Sequence, residues 1–167
     1  NKMYADVNHF SDYGPGEDTN APTLSGITIT DASCSQAQGC TTDATPTITL
    51  NASSDAVDTN VSCNGTTWRN YGSYSSTITN FDISSASYGC STSDGARTVY
   101  VKVADNVGNW TSAATDTTYY DSTAPSISIS SPDANSTSTS STVTLTYSGS
   151  DSGSGVRGYY VKVDSGT

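Results

Sequence analysis

Three valines separated by single residues, Val99, Val101 and Val103, alternate with Tyr100 and Lys102. A period of two puts the valines on one face of an extended strand and the polar residues on the other. Shorter alternating stretches predict further strands: 24–30 with Ile27 and Ile29, 46–53 with Ile48, Leu50 and Ala52, and 76–83 with Ile78. Residues 61–68 are expected as a third strand with Val61 and Cys63 facing inward, and 111–120 as the return from 97–104. Between the last two, Asp105-Asn-Val-Gly-Asn109 has residues suited to the left-handed conformations of a hairpin turn. Helix has little to work with: leucine occurs only at positions 24, 50 and 145, and the 14 alanines make no helical stripe. The fold class expected is all-β, a sandwich of six or seven strands.

The chain also repeats itself. Asn20-Ala-Pro22 through Ile29 returns as Thr123-Ala-Pro125 through Ile129, and Pro46-Thr-Ile-Thr-Leu50 as Ser141-Thr-Val-Thr-Leu145. Ser53-Ser-Asp55 matches Gly149-Ser-Asp151, and Asn64-Gly-Thr66 matches Ser165-Gly-Thr167. The offsets, 95 to 103 residues, match one small sandwich. On this ruler 19–122 is a complete unit and 1–18 is the closing strand of a preceding one. Residues 123–167 are the first three strands of a following unit, expected at 126–130, 142–147 and 158–164. The chain therefore reads as a window on a longer tandem array. If its ends were those of the native polypeptide, the open last unit would be a template for residues 1–18 of the next subunit, a head-to-tail strand exchange.

Sixteen acidic residues against six Lys and Arg give a net charge of −10. Scattered cations cannot neutralise phosphates, so nucleic acid is not an expected partner. An anionic membrane surface is disfavoured for the same reason, and no apolar run approaches the roughly 20 residues of a membrane span. The chain starts at Asn1 and shows no signal peptide.

Cys34, Cys40, Cys63 and Cys90 allow three pairings, with free thiols as the other reading. The five residues between Cys34 and Cys40, ending in a glycine, suit a small disulfide loop, which leaves Cys63 for Cys90. Disulfides place a chain outside the cytosol. Five N-x-S/T sequons, at Asn51, Asn60, Asn64, Asn109 and Asn135, are glycosylation candidates in that setting. A chain with 57 Ser and Thr also generates sequons by chance.

These motifs together resemble the tandem Ig-like domains of large bacterial and archaeal surface proteins. Asp121-Ser-Thr-Ala-Pro125 resembles the linker those arrays place between units, and Val101-Lys-Val-Ala-Asp-Asn-Val-Gly-Asn109 their penultimate strand and turn. Ser148-Gly-Ser-Asp-Ser-Gly-Ser-Gly-Val156 followed by Tyr160-Val-Lys-Val-Asp164 resembles their passage from second to third strand. Asn8-His-Phe-Ser-Asp-Tyr13 resembles a strand that closes such domains. The 34–40 loop and the insertion around 71–90 depart from the pattern. The resemblance implies a stalk, adhesin, surface-layer component or filament subunit, with neighbouring Ig-like units or copies of itself as partners.

Enzymatic signatures are missing from the sequence. His9 is the only histidine, so any Ser-His-Asp triad would have to use it, and no nucleophile elbow exists. A glycosidase needs two positioned acids in a cleft, which scattered loop Asp residues do not indicate. Calcium is the candidate cofactor, because it takes several oxygen ligands. Asp105, Asn106 and Asn109 in the turn, with Asp121 on the linker, form the best set; Asp55 and Asp58, matched by Asp151, form a second. The competing reading is that these residues close Asx-turns on their own backbone. Tyr71, Tyr74, Tyr119, Tyr120, Tyr159 and Tyr160 read either as an adhesive surface or as ordinary strand residues, and Trp68 and Trp110 as core or inter-sheet plugs. The leading function is a structural repeat of an extracellular cell-surface protein. The alternatives are an adhesive module binding a glycan or partner protein, and an accessory domain of a secreted hydrolase.

Overall fold

A computed structural model describes residues 18–30, 39–131 and 142–162. Ten strands and one 3-10 turn (Ala86–Tyr88) make up its regular structure, with no α-helix among the described residues. The strands are β1 (Leu24–Ile29), β2 (Cys40–Thr41), β3 (Ile48–Ala52), β4 (Asp58–Ser62), β5 (Arg69–Ser73), β6 (Thr77–Ile78), β7 (Gly95–Ala104), β8 (Ala114–Tyr120), β9 (Ser126–Ser131) and β10 (Thr146–Ser150). They form a three-stranded sheet β1-β3-β6, a five-stranded sheet β2-β8-β7-β4-β5 and a separate pair β10-β9.

The first two sheets share one core. Ile29, Ile48, Leu50 and Ile78 come from the smaller sheet; Val61, Val99, Val101 and Val103 come from the larger. All four valines are fully buried, as the period-two alternation requires. Burying each is worth about 1.5–3 kcal/mol. One carboxylate links the sheets at an edge: Asp116 Oδ2 on β8 accepts the Ile29 N–H of β1 at 2.7 Å.

Local side-chain chemistry moves several strand ends. The third strand runs over Asp58–Ser62 and not over 61–68. From Ser62 onward the backbone is taken by a polar turn. Ser62 Oγ accepts the Asn64 and Gly65 N–H groups, and Asn64 Oδ1 accepts those of Thr66 and Thr67. Such turns compete directly with a sheet ladder. Cys63 therefore sits in the turn, half-buried, and bridges to Cys90. The stretch 76–83 pairs only at Thr77–Ile78; Phe81 and Ile83 bury their side chains without joining a strand.

Two short elements go beyond the alternation pattern. β2 lies parallel to the end of β8, pairing Cys40 with Tyr119, and β5, which runs into the start of the 71–90 departure, pairs with β4. Cys40 is disulfide-bonded, and Cys34 lies outside the described residues. His9, Asn135 and the closing strand expected before Asp18 also lie outside them.

Beyond Asp121, β9 forms where expected, whereas β10 covers Thr146–Ser150 and not 142–147. The ladder with β9 sets that register, Tyr147 opposite Ile129 and Ser150 opposite Ser126. The third strand expected at 158–164 is not formed over 158–162, where no described strand lies alongside to complete its hydrogen bonds. The apolar side of this pair is open, with Ile127 and Ile129 62% and 64% exposed. Tyr147 and Tyr159 meet edge to face beside them at 4.7 Å between centroids.

Candidate functional site: the two ends of the sandwich

β7 and β8 run antiparallel with Gly95 opposite Tyr120, so the Asp105 turn and the Asp121 linker lie at opposite ends of the pair. Ten residues of strand separate them by about 30 Å. The structure therefore brings Asp105, Asn106 and Asn109 together and leaves Asp121 remote from them. The four do not converge on one cation. No group of three or more acidic, His or Cys side chains among the described residues is arranged for a metal.

Each end holds a linker instead. At the turn, Asp105 Oδ1 accepts the Val107 and Asn109 N–H groups, at 3.0 and 2.9 Å. Its other oxygen accepts from Asn109 Nδ2 at 2.8 Å, and the same nitrogen donates to the carbonyls of Asp18 (2.9 Å) and Asn20 (3.4 Å). Burial pushes the Asp105 carboxyl up. Donation from Asn109, through backbone and side chain, and from Val107 and Gly108 outweighs that and holds it below its ordinary value. The incoming linker is thus clipped to the turn across about 90 residues of sequence. Only Gly108 in this turn takes a positive φ, so the asparagines work through their side chains and not through left-handed backbone.

At the far end, Asp121 is 2% exposed and fully engaged. Its N–H donates to Thr41 O, Oδ1 accepts Thr123 N–H at 3.1 Å, and Oδ2 accepts Ser154 N–H at 2.5 Å. Asp94, at the start of β7, grips the same linker through Ser122 N–H (2.9 Å), Ser122 Oγ (2.8 Å) and the Thr123 hydroxyl. The Thr123 hydroxyl first, then the two Ser122 donors, pull the Asp94 carboxyl down to about 2. The loop after β10 packs directly on this clamp. A Cβ on Gly153 would overlap the Asp121 carboxylate, and Asp151 Oδ1 shapes the loop by accepting the Gly153 and Gly155 N–H groups, both at 2.9 Å.

The two linkers repeat the same local fold. Asp18 Oδ1 accepts Asn20 N–H at 3.0 Å, as Asp121 Oδ1 accepts Thr123 N–H. The sequence carries this turn in Asp18-Thr-Asn-Ala-Pro22 and Asp121-Ser-Thr-Ala-Pro125, of which the repeat covers only the part from Asn20 and Thr123 onward. Asp94 carries no signal in the sequence, because its role depends on β7 beginning beside the end of β8.

The aromatic residues divide. Trp68 and Trp110 are half-buried and flank Lys102 on the outward face of β7, with Nζ at 4.6 and 4.9 Å from their ring centroids. They are not inter-sheet plugs: Val101 and Val103 already fill the inward positions, leaving Lys102 and its neighbours outside. Tyr120 is buried beneath Arg97, and Tyr71 packs on Phe81. Tyr74 lines the core, Tyr119 is half-buried, and Tyr159 and Tyr160 are exposed.

Arg97 was not singled out by its sequence. It is 4% exposed, and its guanidinium donates to the carbonyls of Ile83, Gly95, Ala96, Ser91 and Ser93. The 83–95 passage is thereby wrapped around one buried cation. Compared with known protein families, curated proteins and solved structures, the chain matches none of them.

Proposed function

We propose that the chain is a structural repeat segment of an extracellular prokaryotic cell-surface protein, in which tandem Ig-like sandwiches build a stalk, filament or lattice. The observation that carries this reading is the linker clamp. Asn109 clips the linker entering the sandwich, and Asp94 with Asp121 clamps the linker leaving it. A flexible tether would leave those residues solvated. Here the backbone hydrogen bonds of the linker are satisfied by the sandwich itself, which transmits orientation from one unit to the next. The Cys63–Cys90 disulfide and the net charge of −10 suit a solvated exterior outside the cytosol. The test is immunogold electron microscopy of intact cells with an antibody to residues 18–131. Labelled appendages or a labelled surface coat are expected; label confined to the cytoplasm overturns the reading.

A second reading, an adhesive module, is favoured by Trp68, Lys102 and Trp110 on the open sheet face. Indole faces stack on pyranose rings, so a glycan ligand would quench tryptophan fluorescence saturably. An array of glycans giving no such response removes this reading.

A further inference from the structure

Four of the five sequons lie in the described residues, and the fold uses their amide nitrogens differently. An N-linked glycan replaces one of the two hydrogens on Asn Nδ2, so a modified chain folds only where the structure does not need both of them and leaves room for a sugar. Asn109 fails on both counts, because its Nδ2 is the clip that holds Asp105, Asp18 and Asn20. Asn64 fails as well. Its Nδ2 donates to Thr67 Oγ1 at 3.3 Å and lies so close to Gly89 that a Cβ there would overlap it. Asn60 is half-buried in β4, its Oδ1 enclosed and unpartnered, between Lys102 and Asn70 of the adjoining strands.

Asn51 differs from all three. It is exposed on β3, with its side chain in no hydrogen bond among the described residues, and sits opposite Gly26 of β1. Gly26 has no side chain, and even an added Cβ there would meet nothing within 4 Å. The sequon hydroxyl, Ser53 Oγ, accepts Thr23 N–H at 2.8 Å in the folded chain. That contact forms only with the pairing of β1 and β3, so the comparison among the sites is of which modified chains can still fold.

We infer that Asn51 is the N-glycan acceptor of this sandwich and that Asn64 and Asn109 are structural asparagines that stay unmodified. The inference rests on the extracellular reading. Its test is glycopeptide mass spectrometry of the native protein, with location checked by protease shaving of intact cells. The expected result is a glycan mass on the Asn51 peptide, absent from those of Asn64 and Asn109. Asn51→Gln should abolish that mass and leave the unfolding midpoint unchanged, whereas Asn109→Gln should keep the glycan and lower the midpoint. Sugar on Asn64 or Asn109, or a bare Asn51 in a protein shown to be on the surface, overturns the assignment alone. A protein found inside the cell with Asn51 bare overturns both the assignment and the reading beneath it.

Discussion

At the scale of single residues, the most consequential side chains are polar ones placed where the core meets a loop. Among the described residues Arg97 pairs with no carboxylate; it gathers five carbonyls, of which that of Ile83 is buried. Leaving one buried carbonyl without its donor costs about 1–3 kcal/mol, so Arg97→Met should destabilise by about that much, read from urea unfolding. Asp94 gives a pH signature. Its carboxyl is held at about 2, below the ordinary 3.8, so the stability it contributes is present above pH 3.8 and lost as pH falls toward 2. An NMR titration of Asp94 should show the depressed value, and Thr123→Val should move it back up. Tyr71 shows the opposite case. Burial pushes its hydroxyl up to about 12, against the pull of the Arg69 guanidinium beside it and with Tyr88 adding to it, and the hydroxyl makes no well-formed hydrogen bond among the described residues. Tyr71→Phe should leave stability unchanged or raise it by up to about 1 kcal/mol, and should remove the destabilisation expected between pH 10 and 12.

Among the elements, alternation identified the strands that pack and missed those that only pair. β7 was legible because three valines must face one way. β5 was not, since Arg69 to Ser73 contains a glycine and no apolar alternation; its place comes from the ladder with β4. The end of β4 was misjudged because Ser62 and Asn64 claim the backbone for a turn. The Cys63–Cys90 bridge closes that turn onto the loop after the 3-10 segment, spanning 27 residues. A loop of that length predicts a loss of about 3.5 kcal/mol on replacing both cysteines with serine, measurable as a lower urea midpoint. Gly89 sits in the same contact at φ 76°, where only glycine clears Asn64.

The whole molecule is governed by the clamp between the sandwich and the loop that follows β10. Gly153→Ala would drive a methyl group into the Asp121 carboxylate without touching the core of either sheet pair. The expected outcome is an unchanged melting transition for the sandwich with a broader distribution of shapes in small-angle X-ray scattering. An unchanged scattering profile would show that Asp121 and the 151–155 loop do not set the orientation. The candidate site was half legible at this scale. The turn asparagines and the linker aspartate were found from sequence, but they were grouped at one end when the strand pair holds them at two.

The sequence by itself determined the all-β class and the inward face of the packing strands, and it favoured Cys63 with Cys90 among three pairings that the structure then decided. These follow from side-chain period and from residue supply, which need no tertiary contact to read. Tertiary structure decided which polar residues matter. Asp94, Arg97, Asn109 and Asp121 acquire their roles from carbonyls and amides that lie from a few to about 90 residues away in the chain. Hydrogen bonding is short-ranged and directional, so a polar residue's partner depends on where the strands end, and alternation alone does not record that.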